Sequence, residues 1–301
     1  MPVPPRFLAA AAAAGLAAAV RLWRGRHATS MEARTLTRRP VGPDGIIVGA
    51  EGITEHRHHA PAVLLLHGAG DSPSSLRYLA DHLHAGGYSV RAPLLPGHGR
   101  TIREFSQVTA DLWYEAAREE LLALRTAHEW VAVVGLSMGG ALAARLAADP
   151  AVSDDLPAIV LLAPYLEPPA FVRAAAFTSR GWGTVASYVE TIDPRSIHDT
   201  SERERSLGYG VMTPAALRAL VRTARLASQS LPGITVPTLM IQSRHDNRVP
   251  AAGAERAFAR IGASDKRMVW REVGGHILTV DHGWEEVVAD VAGWLGERGG
   301  A

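Results

Sequence analysis

From Ala62 onward, short apolar runs alternate with amphipathic stretches, and this alternation constrains the chain more than any other feature. Ala62-Val63-Leu64-Leu65-Leu66 reads as a buried strand ending at His67-Gly68. Residues 76–85 read as a helix closed by Gly86-Gly87, and 88–92 as a strand stopped by Pro93. Further strands are expected over 130–134, 158–162, 238–242 and 268–272, and helices over 111–128, 139–148 and 284–295. In the helix over 111–128, Leu112, Ala116, Leu121 and Leu124 are the apolar positions at helical spacing. Such a succession implies an α/β fold: a mostly parallel sheet, wound right-handed, with helices on both faces.

One segment breaks the rhythm. Residues 165–233 hold no clear strand but contain Pro168-Pro169, Gly181-Trp182-Gly183, a charged run over 202–205 and a helix over 213–228. An insertion of about 65–70 residues is too long for a plain connection between strands and is expected to form a helical cap. The charged run is expected on the exposed face of that cap. Tyr165, Phe171, Phe177, Trp182, Tyr209 and Met212 either line a pocket beneath it or pack it onto the sheet, and the sequence leaves both readings open. At 301 residues the chain is long enough for one large α/β domain with a substantial core. The expected organisation is an Ala/Arg-rich extension over 1–40, then the α/β domain over 41–301 with its cap at about 165–233.

The extension raises the question of a membrane. Residues 7–20 are continuously apolar, nine of them alanine. Fourteen helical residues reach about 21 Å, short of a hydrocarbon core of roughly 30 Å. Arg21, Arg24, Arg26, Arg34, Arg38 and Arg39 follow, offset nearby only by Glu32. A basic block after the apolar run argues against export and suits the cytoplasmic side, where it attracts anionic lipid headgroups. The expectation is a cytoplasmic protein with peripheral membrane contact through residues 7–39; the competing reading is an Ala-rich helix with no membrane role.

Composition removes several chemistries. The absence of cysteine excludes disulfides, a thiolate nucleophile and thiolate metal sites. The only lysine, Lys266, has no glycine-rich loop before it, so no phosphate-binding P-loop is present. A net charge of +1 gives no global field to recruit nucleic acid.

Positive signals converge at strand ends. Gly135-Leu136-Ser137-Met138-Gly139 directly follows one expected strand and opens a small-residue helix, the strand–turn–helix context that G-x-S-x-G requires. Glycines let helix and strand approach closely, and the turn thrusts the serine Oγ out where unpaired helix N–H groups face developing negative charge. Serine needs a base, and the base needs an acid to orient it. Gly274-Gly275-His276 follows the last expected strand, and Asp246 lies just beyond the strand over 238–242, so both are expected at the same sheet edge as Ser137. Backbone N–H groups of Met138 and of the turn His67-Gly68-Ala69-Gly70, most directly Ala69, are the candidate oxyanion donors.

With these pieces in order, the chain resembles the α/β-hydrolases, and within them the bacterial monoacylglycerol lipases and small carboxylesterases. The resemblance rests on Leu65-Leu66-His67-Gly68, Gly87-Tyr88-Ser89-Val90, Pro96-Gly97-His98-Gly99, Gly135-Leu136-Ser137-Met138-Gly139-Gly140, the Asp246 loop and Gly275-His276, across roughly 62–295. It implies Ser137 as nucleophile, His276 as base and Asp246 as its orienter, in the chain order of that fold. It further implies hydrolysis of carboxylic esters with medium or long acyl chains, with no metal or cofactor required. The family often carries a bulkier residue where this chain has Ala69, which alters the acyl pocket at that point. Tyr165, Trp182, Val249 and Ile277 are candidates for substrate contact. A thioesterase, an acyltransferase or a non-catalytic binding protein on the same fold are the alternatives.

Blander readings stand beside these. Asp193, Asp281 and Glu285 rival Asp246 as the acid, but only Asp246 follows a strand in the right order. His245 precedes Asp246 in the same loop and is expected to face away. His67 and His98 are expected to bind loop backbone beneath the site. His56-Arg57-His58-His59 lacks spaced carboxylates and reads as solvated surface rather than a metal site.

Overall fold

The computed structural model describes residues 5–300, and the side chains of all but 5–11 and 34–38. Nine strands appear in it: β1 Ile53–Glu55, β2 Ala62–Leu66, β3 Ser89–Ala92, β4 Val131–Leu136, β5 Ile159–Leu162, β6 Val189–Glu190, β7 Val211–Met212, β8 Thr238–Ser243 and β9 Lys266–Arg271. The helices are α1 Pro5–Arg38, α2 Arg77–Ala85, α3 Ile102–Phe105, α4 Ala110–Arg125, α5 Met138–Ala147, α6 Ala170–Trp182, α7 Thr200–Arg205, α8 Pro214–Ser230, α9 Ala251–Arg260 and α10 Trp284–Gly296.

Seven strands form one sheet in the order β1-β3-β2-β4-β5-β8-β9, parallel throughout except for the β1–β3 pair. The central strands are unbroken apolar runs because both faces are covered. Along β2, Ala62, Leu64 and Leu66 join one core cluster with α4, α5, α8 and α9, while Val63 and Leu65 join a second with α2 and α10. β4 divides the same way, Val131 and Val133 to the first cluster and Ala132, Val134 and Leu136 to the second. Trp113 of α4 and Trp294 of α10 are fully buried on opposite faces. Each contributes more than the roughly 1.5–3 kcal/mol of a smaller apolar side chain.

Helix starts are fixed locally. Thr109, Thr213 and Asp199 cap α4, α8 and α7 with side-chain oxygens, and Thr101 with Glu104 forms a reciprocal capping box at α3.

The structure departs from the sequence expectations at several points. The buried face of α4 is Trp113, Tyr114, Ala117 and Leu121, so Leu112 faces solvent. The short edge strand β1 and the helix α9 were not anticipated. The insertion is not purely helical, since β6 and β7 pair antiparallel within it. Glu202, expected on an exposed face, is buried: Tyr78 donates to its Oε1 at 2.8 Å, and Arg77 and Arg205 pair with the same carboxylate. Those bonds tie α7 of the cap to α2 of the body.

Arg24 of α1 donates to Ser187 of the cap, and the His27 ring stacks on Tyr188 at 4.7 Å. Among the described residues no helix is long and apolar enough to cross a membrane.

Candidate active site

Ser137 sits between β4 and α5 with φ +56° and ψ −113°, a conformation an L-residue adopts only when its surroundings enforce it. The enforcement comes from packing. A Cβ on Gly135 would lie 2.1 Å from the Gly139 carbonyl oxygen, and one on Gly139 would lie 1.9 Å from that of Leu66. Only glycine lets α5 cross so near β2 and β4. Ser137 donates its own N–H to the Leu162 carbonyl at 2.8 Å, and its carbonyl accepts from the Tyr165 N–H at 3.0 Å, so both flanks of the turn are held.

The parallel order β4-β5-β8-β9 brings three loops to one sheet edge. His276 Nε2 lies 2.8 Å from Ser137 Oγ, and its Nδ1 lies 2.8 Å from Asp246 Oδ2. With Nδ1–H donating to the carboxylate, Nε2 is left to accept the serine proton. The Asp246 side chain is fully buried. Its Oδ1 accepts from the Arg248 and Val249 amides at 2.7 and 2.9 Å, and its Oδ2 also accepts from Gln242 Nε2 at 2.8 Å. Burial acting alone would raise the carboxyl pKa; the charge and hydrogen bond of His276, with the two amides, outweigh it and hold Asp246 below the usual carboxylate value.

The turn after β2 closes over the serine, since a Cβ on Gly68 would lie 3.4 Å from Ser137 Cβ. Among the described residues neither the Ala69 nor the Met138 amide donates a hydrogen bond, as expected at an open turn and a first helical residue. His67 braces this turn from below, its Nδ1 bonded to the Gly68 carbonyl at 2.9 Å and its Nε2 accepting from the Leu95 amide at 3.1 Å. Burial pushes its pKa down to about 4 despite the Gly68 bond, so the ring is neutral. His98 lies edge-on to it, also buried and with its pKa pushed down.

The remaining candidates are distributed around this centre. Tyr165 is buried beside it, and burial raises its phenol to about 12, with Arg248 and Asp246 close enough to act on it. Ile277 follows His276, donates its N–H to the Ser196 carbonyl and borders a polar recess with Asp71, Ser74 and Arg77. Val249 is buried and serves the Asp246 carboxylate through its amide. Trp182 lies in α6 with its indole N–H bonded to the Ala175 carbonyl, which secures the cap helix. Among the rival acids, Asp193 pairs with Arg195. The His245 ring lies 6.3 Å from that of His198 rather than with the central cluster.

Three contributors were not foreseen. Asp71 closes the Ala69 turn; burial raises its pKa against the Ser75 hydroxyl, the Ser72 amide and the charges of Arg39 and His276. Arg248 and Asn247 both reach Ser196 Oγ of the cap, at 3.1 Å each, fastening the Asp246 loop to the insertion. None carries a local motif, and Arg248 and Asn247 reach a loop about 50 positions away in sequence.

Residues 57–283 match the family described as serine aminopeptidase, S33. The chain is a member of that family of α/β-hydrolases. It is 30% identical over 220 residues to a thermostable monoacylglycerol lipase of Bacillus sp. strain H-257, covering 73% of this chain and 84% of the relative. A carboxylesterase of Bacillus subtilis is 25% identical over 236 residues, covering 78% and 92%. A solved structure of the metagenome-derived lipolytic enzymes LipS and LipT superposes with a TM-score of 0.76 at 27% identity, covering 84% of this chain and 99% of that one.

Proposed function

We propose that this hydrolase cleaves carboxylic esters of medium or long acyl chains, monoacylglycerols among them, through an acyl-enzyme on Ser137. The observation that carries the reading is the continuous relay Ser137–His276–Asp246, two contacts of 2.8 Å on an elbow whose backbone is strained. His276 Nε2 takes the Ser137 proton as Oγ attacks the ester carbonyl, forming the C–O bond. The Ala69 and Met138 amides donate to the oxyanion. Collapse returns the proton from His276 to the departing alcohol; a water then attacks the acyl-enzyme, His276 again carries the proton, and the acid is released. Asp246 holds the imidazole in the tautomer this requires. The relatives named as monoacylglycerol lipase and carboxylesterase support an ester over a peptide, and the enzyme is a carboxylic ester hydrolase.

Tyr165, Trp182, Val249 and Ile277 are proposed to border the acyl path. Peripheral contact with anionic lipid at the cytoplasmic face, through residues 7–39, belongs to the same reading. Exposed Leu16, Leu22 and Trp23 interleave with exposed arginines on α1, and Phe171 and Phe177 are exposed on the cap.

The test is turnover of p-nitrophenyl esters from short to long acyl chains, beside an aminoacyl p-nitroanilide, with Ser137→Ala as the blank. Serine-dependent turnover peaking at medium or long chains is expected, with a loss in the variant of several orders of magnitude, to about 10³–10⁴ over water. Ester hydrolysis unchanged in Ser137→Ala would refute the acyl-enzyme.

A further inference from the structure

Asp281 competes with Asp246 in the sequence, but the structure gives it different work. Its side chain is fully buried and accepts four backbone N–H groups. Oδ2 takes Gly275 at 2.6 Å and His198 at 2.7 Å; Oδ1 takes Asp199 and His282 at 2.8 Å each. Four donors fill the acceptor capacity of an ionised carboxylate. Two of them belong to the cap, 82 and 83 positions away in sequence, and a third is the residue immediately before His276.

Other contacts press the same two segments together. The Ile277 amide donates to the Ser196 carbonyl at 3.0 Å, so His276 lies between the Gly275 amide, held by Asp281, and the Ile277 amide, held by the cap. A Cβ on Gly275 would lie 2.2 Å from the Arg195 carbonyl oxygen, so the cap chain rests directly on the histidine loop. Gly274, at φ +79°, delivers the chain into this contact, and Ser243 Oγ holds its carbonyl at 2.6 Å. An aspartate that only finished its own loop would have no reason to reach across to residues 198 and 199.

We propose that Asp281 is a positioning residue, clamping the backbone before His276 to the cap segment 195–199 so that the seating of the cap sets the reach of His276 toward Ser137. The inference rests on His276 being the base of the proposed reaction. Its physical weight comes from the tolerance of that step, since a displacement of about 1 Å in a reacting group can cost on the order of 10²-fold in rate. Burial pushes the Asp281 carboxyl upward, but the four amides together hold it below its usual value, so the clamp is charged throughout the neutral range.

Asp281→Asn keeps the volume but turns one oxygen into an amide facing two N–H donors, which removes two of the four bonds. Active sites are counted by fluorophosphonate titration, so that kcat refers to folded enzyme alone. The expected result is a kcat lowered about 10–100-fold with KM within about twofold, together with a displaced acid limb in the pH profile of kcat. A purely structural role would lower the melting temperature and the number of active sites, leaving kcat per site and the acid limb as in wild type; that result overturns the proposal. Should Asp281→Asn fail to fold, Asp281→Glu retains both oxygens on a stem one methylene longer and should show the same pattern at smaller size. Wild-type kcat and pH profile in Asp281→Glu would likewise overturn it. Turnover persisting in Ser137→Ala would instead remove the reading beneath it, so the two failures are distinguishable.

Discussion

Replacing Asp246 by Asn separates orientation from stability, and the structure dictates how. The side-chain oxygen of the introduced amide must occupy the Oδ1 site, where the Arg248 and Val249 amides both donate. Its NH₂ is then forced to the Oδ2 site, facing His276 Nδ1 and Gln242 Nε2. His276 can meet a donor only by moving its proton to Nε2. That proton points at Ser137 Oγ, 2.8 Å away, and the ring can no longer accept from the hydroxyl. The expected loss in kcat is about 10⁴-fold, or roughly 5.5 kcal/mol of barrier.

Stability should change far less. Gln242 Oε1 is buried without a partner, so rotating that amide by half a turn lets it accept from the new NH₂. What remains lost is the charge-assisted bond to His276 together with the long 3.4 Å bond from Gln242 Nε2 to the Val249 carbonyl, about 1–2 kcal/mol and a shift of a few degrees in melting temperature. The native Asp246 pKa is depressed, so its contribution is present above the unfolded-state value near 4 and disappears as pH falls through the native value. The stability gap between wild type and Asp246→Asn should therefore narrow below about pH 4. Steady-state hydrolysis of a p-nitrophenyl ester at pH 7.5 and thermal melts across pH measure the two effects. A kcat within tenfold of wild type, or a loss matched by unfolding, would refute the tautomer argument.

Further outcomes follow from buried histidines and from glycines. The unfolded chain protonates His67 near pH 6.5 but the native ring only near 4, so stability should fall as pH drops through that window and level off below it, by about 1.4 kcal/mol per pH unit for each such histidine. His98 acts in the same direction. Urea unfolding at pH 7, 6 and 5 measures the slope, and an undiminished slope in His67→Gln would contradict it. Gly139→Ala drives a Cβ into the Leu66 and His67 carbonyl oxygens and should cost at least about 3 kcal/mol and abolish turnover. Gly293→Ala, in α10 with open space around it, should instead gain about 0.5–1 kcal/mol; melting temperatures moving the same way in both variants would be inconsistent with this account.

Much of the fold was legible because β2, β4 and β5 are buried on both faces and announce themselves as apolar runs, and β8 carries Leu239-Met240-Ile241 at its centre. β1 escaped because Ile53-Thr54-Glu55 is a three-residue, largely exposed edge strand. α9 escaped because its buried positions are Gly253, Ala254 and Ala257, which give almost no hydrophobic period. In α4 the leucines suggested one face, but the bulky Trp113 and Tyr114 select another. At the candidate site, the meeting of Ser137, Asp246 and His276 at one sheet edge could be expected because each follows a strand and carries a distinctive side chain. Glu202 was misread because a charged run looks solvated until its partners on α2 are known. Asp281 was visible only as a rival acid, since bonds from a carboxylate to backbone amides leave no trace in the identity of the residues that donate them.

The cap contacts bear on how such an enzyme acquires new substrates. Insertions over a hydrolase sheet look like interchangeable parts, removable at the two points where they leave β5 and enter β8. Here the chain around Ser196, in the middle of the insertion, is bonded to Asn247 and Arg248 on one side and to Ile277 on the other. The natural seam for grafting or diversifying therefore runs through the insertion rather than at its base. α6 turns Ala176 and Ser179 inward, with Ser179 bonded to Arg218 of α8, and leaves Phe171 and Phe177 exposed, whereas residues 191–199 are bonded to the loops of Asp246 and His276. A library randomised across the whole insertion would mostly break those bonds, and one confined to exposed positions of α6 such as Phe171 and Phe177 would leave them intact.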